Sequence, residues 1–139
     1  MADRDVMLSF DEAENYLSQV ADELPPQLLD QLNGGILLLP DVVESPHSLR
    51  RGDLYTLGAY HVEPRGLGRY ITIHYGSFLE VCAGQSLRRQ KKALRDVLLH
   101  ELTHHLESLA GLRDLEVEDE RFLDRYRRDH EADSDSIQE

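Results

Sequence analysis

A chain of 139 residues with 40% hydrophobic and 30% charged residues is sized and composed for one globular domain, spanning 1–139, rather than a disordered tract. Its net charge of −12 argues against nucleic acid or an anionic membrane as partner and repels acidic molecules in general. Cys82 is the only cysteine, which excludes an internal disulfide and suits a reducing, cytoplasmic setting.

The N-terminal MADRDVMLSFDEAENY lacks the apolar core of a signal peptide, and no apolar run is long enough to span a bilayer. A soluble protein inside the cell is expected. Ser9 followed by Glu12 fits a capping box, and Phe10, Ala13, Tyr16, Leu17 and Val20 recur at helical spacing. A first helix is therefore predicted over about 10–23. Pro25 and Pro26 stop it and open a short turn, PPQLLDQL, closed by Gly34 and Gly35. ILLLPDVV reads as a short buried strand, and 44–53 as loop. LYTLGAYHV (54–62) and RYITIHYG (69–76) are two further strands joined by the turn EPRGLG. In the second, Tyr70, Thr72 and His74 face one side while Ile71, Ile73 and Tyr75 face the other.

Ser86 can cap a long helix running to Gly111, and Asp114 a last one from about 115 to 128. The polar tail from about 130 is expected to fray. Within the long helix, Leu94, Leu98, Leu102, Leu106 and Leu109 form one stripe at about 100° per residue. His100 and His104 fall on roughly the opposite side, with Glu107, Ser108 and Gly111. Two imidazoles at i and i+4 share a face and can share one metal ion, the geometry of H-E-x-x-H. Glu101 leans to the flank of that face, where it can take a proton from a metal-activated water and pass it to a leaving amine. His105 sits with the leucines and reads as a buried, hydrogen-bonded histidine. His47, His61, His74 and His130 carry little individual signal, although His61 and His74 are candidates to line a cleft.

A catalytic zinc site needs a third protein ligand and leaves its fourth position to water. Glu107 shares the histidine face but lies a turn further on, so a role orienting a histidine suits it better than ligation. If Gly111 ends the helix, the chain can fold back and bring an acid from RDLEVEDE to the metal. Glu116 is favoured as that ligand, then Asp119, then Asp114; some of these acids also suit the N-terminus of the last helix.

These residues bring a family into view. ELPPQLLDQL, ILLLPDVVESP, LYTLGAYH, RYITIHYGSFLE and above all HELTHH together resemble the small bacterial zincin-like metallopeptidases of minimal fold. The resemblance implies an α/β (α+β) architecture: a small, mostly antiparallel sheet against the H-E-x-x-H helix, flanked by N- and C-terminal helices. It implies one Zn2+ per chain, a peptide or protein substrate, and a strand beside the cleft whose open edge pairs with that substrate. RYITIHYG is the expected edge strand. The family pattern continues with glycine three residues after the second histidine and aspartate three later. Here Glu107 takes the glycine place, and the Gly–x–x–Asp element comes later, as Gly111 to Asp114. The competing expectation is a non-catalytic metal-binding or interaction module on the same scaffold. An intact Glu101 speaks against it, because a purely structural site needs no base.

Overall fold

The computed structural model describes residues 6–45 and 54–119, with side chains described through residue 111. It is an α+β fold: α1 (Phe10–Glu23), a 3-10 turn (Pro26–Leu29), β1 (Gly35–Leu39), β2 (Gly58–Glu63), β3 (Gly68–His74), α2 (Tyr75–Cys82) and α3 (Leu87–Asp119). None of these helices is long and apolar enough to cross a membrane.

α1 begins where its capping box closes. Glu12 N–H donates to Ser9 Oγ at 3.1 Å, and Ser9 N–H donates back to Glu12 Oε1 at 2.9 Å. It ends at Leu24, held extended by the proline that follows it. The face it buries is Ala13, Leu17 and Val20, one residue per turn, packed on α3.

The sheet has the order β1-β3-β2. β1 runs parallel to β3, placing Ile36 beside Ile71 and Leu38 beside Ile73. β2 runs antiparallel to β3, placing Tyr60 beside Ile71 and Ala59 beside Thr72. The sheet is therefore mixed rather than mostly antiparallel, and β3 is its central strand. RYITIHYG has no open edge; the edges belong to β1 and β2. One face, carrying Ile71, Ile73 and Leu38, joins Leu94, Leu98 and Leu102 of α3 in the core. Burying side chains of this size stabilises by roughly 1.5–3 kcal/mol each. Gly34 is required beside the sheet, because a Cβ there would stand 2.7 Å from Tyr70 Cβ and 2.9 Å from Leu67 O.

Two expectations at the helices are corrected. The second strand stops at His74 and gives way directly to α2, whose Phe78 and Cys82 are buried. Its spacing was visible, since Tyr75, Phe78, Leu79 and Cys82 recur at i, i+3, i+4 and i+7. α3 does not stop at Gly111 but continues to Asp119. Asp114 thus sits inside a helix instead of capping a new one. The rest of the helix expected over 115–128, and the tail from 130, lie outside the described residues, as does His47.

Gln90, fully buried on α3, holds the N-terminal segment. Its Oε1 accepts from Leu8 N–H at 2.9 Å, and its Nε2 donates to Val6 O at 2.7 Å and Gln85 O at 2.9 Å. Gln90→Leu keeps the volume but strands three backbone groups, each costing about 1–3 kcal/mol if left unmet. Urea denaturation should show a loss of about 2 kcal/mol or more. An unchanged midpoint would mean that the segment is held by other contacts.

Candidate active site

α3 starts at the predicted cap, with Arg89 N–H donating to Ser86 Oγ at 3.3 Å. What fixes the rotation of the helix is a polar cluster just past its middle. His105 is fully buried. Its Nε2 donates to Asp30 O at 2.8 Å, because a carbonyl can only accept. The neutral ring then leaves Nδ1 as an acceptor for the Tyr60 hydroxyl, also at 2.8 Å. Arg69 Nη1 donates to that same hydroxyl at 2.8 Å and to Ser108 Oγ at 2.6 Å. Burial holds the His105 pKa below its ordinary value, with the nearby Arg69 adding to the effect and the Asp30 contacts opposing it. His105 is thus the buried, bonded histidine that its place among the leucines predicted.

With His105 pinned inward, His100 and His104 turn outward. Their Nε2 atoms face each other at 3.2 Å, with ring centroids 4.7 Å apart and planes at 87°. Two nitrogens on one tetrahedral zinc at 2.0–2.1 Å stand about 3.3 Å apart. The donor pair therefore fits a single ion. The other nitrogen of His104, Nδ1, lies 3.4 Å from Glu107 Oε1. A proton on Nδ1 directed at that carboxylate makes Nε2 the lone-pair nitrogen of the ring, the orienting role expected of Glu107.

Glu101 faces the sheet rather than solvent and is only 5% exposed. β2 crosses closely above it. A Cβ on Gly58 would lie 3.4 Å from Glu101 Cγ and 2.9 Å from Val97 Cγ2, so glycine lets the strand settle onto the carboxylate-bearing turn. His74 N–H donates to Leu57 O. Antiparallel alternation then points the N–H and C=O groups of Gly58, Tyr60 and Val62 away from β3. Among the described residues no strand pairs with that edge. The open edge beside the histidine face is thus that of β2.

The remaining candidates are dispersed. His61 and His74 lie on the opposite sheet face: His61 Nε2 meets Thr72 Oγ1 at 2.9 Å, and His74 Nδ1 meets Asp41 Oδ1 at 2.8 Å. Burial lowers the His61 pKa, Glu63 opposes this, and His74 adds to it. A histidine held low in the fold contributes stability above its unfolded value near 6.5 and loses it on acidification. In the continuous α3, Glu116 is twelve residues beyond His104, about 18 Å along the axis. The described residues include no group of three His, Cys, Asp or Glu placed to hold one ion.

No family model and no curated protein matches the chain. Among solved structures it is similar to a conserved hypothetical protein from Thermo thermophilus. The two are 32% identical with a TM-score of 0.62, over 74% of this chain and 98% of that one.

Tyr60→Phe removes the hydroxyl shared by His105 and Arg69 while keeping the ring. The buried His105 nitrogen and one guanidinium donor lose their partner, which should cost about 1–3 kcal/mol by chemical denaturation. A cost near zero would show that rotation of α3 is set by apolar packing alone.

Proposed function

The chain belongs to the same family as the Thermo thermophilus conserved hypothetical protein, and from its own residues we propose that it is a zinc-dependent metallopeptidase. The observation that carries this reading is the facing pair of His100 and His104 nitrogens, 3.2 Å apart, beside a buried glutamate and an open strand edge. Zinc on these two imidazoles would supply Lewis acidity toward a scissile carbonyl and its attacking water. Glu101, sheltered from bulk solvent beneath Gly58, would take the water's proton and hand it to the departing amine. Gly58, Tyr60 and Val62 would hold the substrate backbone in extended form along the edge of β2. Glu107 would keep His104 in the ligating tautomer.

For the third protein ligand the order remains Glu116, then Asp119, Asp114 and Glu107, although the continuous α3 carries Glu116 about 18 Å along the axis beyond His104. Glu116 reaches the pair only if the chain leaves the helix at Gly111, the residue of weakest helix propensity in that stretch. A cytoplasmic location goes with this reading, since the one thiol, Cys82, is free and buried.

Zinc analysis of untagged protein should give about one ion per chain, and His100→Ala/His104→Ala should remove it. Unchanged zinc in the double variant would sink the assignment. Glu101→Gln should retain zinc and fold while peptide hydrolysis falls by on the order of 10²–10⁴-fold. Should the parent bind zinc yet cleave no peptide, the non-catalytic module becomes the better reading. Glu116→Ala should weaken zinc retention strongly; if it does not, the third ligand lies elsewhere.

A further inference from the structure

The first two turns of α3 are strongly basic in an acidic protein. Arg88, Arg89, Lys91, Lys92 and Arg95 put five of the chain's 15 Lys and Arg into eight residues, all exposed. Helix stability does not favour this arrangement. Cations in a first turn oppose the helix dipole, and Arg88–Lys92 and Lys91–Arg95 are like charges one turn apart. Lys92 is partly answered by Asp96 at 2.7 Å, and Lys91 lies over the Tyr16 ring. Arg88 and Arg89 have no ion-pair partner among the described residues. Between them opens a depression of about 520 Å³ lined by Gln85, Arg88, Arg89, Lys92, Ala93 and Asp96.

One rim of the depression lies on the histidine side of α3: at 100° per residue, Arg89 and Ala93 fall within about 60° of His100 and His104, while Arg88 and Lys92 form the far rim, about 80–160° round the helix from the pair. β2 also runs along this helix, and three contacts give its direction. Gly58 sits over Val97 and Glu101, Tyr60 reaches His105, and Arg69, opposite Val62, reaches Ser108. The strand edge and the helix axis therefore advance together. A peptide extended along that edge and continued past Gly58 travels toward the start of α3.

We propose that Arg88 and Arg89, with Lys92 at their side, form a subsite that selects acidic residues in an extended peptide substrate. The assignment rests on the peptidase reading of His100, Glu101 and His104. It also fixes a distance. Arg89 is eleven residues before His100, about 16 Å along the axis, and an extended chain advances about 3.3 Å per residue. The selected Asp or Glu lies about five residues from the scissile bond. The net charge of −12 does not oppose this locally, because at physiological ionic strength exposed charges are screened beyond about 8 Å. A carboxylate in the depression is governed by the arginines around it.

The experiment uses three fluorescein-labelled twelve-residue peptides and the full chain. One peptide carries four glutamates in its N-terminal third, one carries them in its C-terminal third, and the third has glutamine in their place. Binding is read by anisotropy on Glu101→Gln protein, with and without zinc, and cleavage on the parent by mass spectrometry. One of the two glutamate peptides should bind at least tenfold tighter than the glutamine peptide, with affinity falling as salt rises and no dependence on zinc. Arg88→Glu/Arg89→Glu should abolish that preference. Glutamate suits a first helical turn, so a far-ultraviolet spectrum unchanged from the parent separates lost recognition from lost fold. Equal binding of glutamate and glutamine peptides overturns the subsite, as does a preference that survives charge reversal. Tighter binding of a twelve-nucleotide single-stranded RNA also overturns it, in favour of a nucleic-acid surface. Cleavage with no acidic preference would refute the subsite and leave the peptidase standing. An acidic preference without cleavage would do the reverse.

Discussion

The bond between Tyr60 and His105 sets the arrangement on which the rest depends. A helix packed by leucines alone can rotate through several similar fits, because apolar contact is non-directional. A neutral imidazole with one nitrogen donating to Asp30 O and the other accepting from Tyr60 fits in one orientation. Arg69 then ties the same hydroxyl to Ser108 one turn on. Strand, helix and the loop before β1 are locked at one angle and one axial position.

The site follows from that angle. His104 is next in sequence to His105 and so turns about 100° away from it, out of the core, and His100 joins it one turn earlier. Glu101 is carried to the side facing β2, where Gly58 lets the strand come close. The three residues of one motif thus occupy different surroundings: exposed, half-buried and buried. A ligand pair suits the side that a metal ion can reach, and a carboxylate that passes a proton is kept from bulk water on the sheltered one.

Much of this was legible in the sequence, for local reasons. The capping box, the prolines at 25 and 26 and the cap at Ser86 act within a few residues, so they mark helix starts reliably. The helical wheel separated His105 from His100 and His104 because rotation about one axis needs no tertiary knowledge. What failed was non-local or cooperative. β3 was expected at the edge because it precedes the histidine helix and the resemblance calls for an edge strand there, yet β1 and β2 pair with it on both sides. Its parallel pairing with β1 has no local signature. At Gly111 the cost of glycine in a helix, about 1 kcal/mol, competes with the cost of leaving terminal carbonyls unmet. In this structure continuation wins, so the third ligand was the least legible part of the site. The basic start of α3 draws notice only once β2 is seen to run along the helix toward it.

The tether between the first residues and Gln90 bears on how the chain is made. Val6 and Leu8 are translated more than eighty residues before their partner, and β1 precedes β3 by about thirty. At roughly 5–20 residues per second, the segment GILLL emerges seconds before the strand that covers one of its edges. During that interval it is a naked apolar ribbon beside the ribosome, with α1 unable to dock because α3 does not yet exist. Closure of the core therefore waits until Leu94, Leu98 and Leu102 of α3 have emerged.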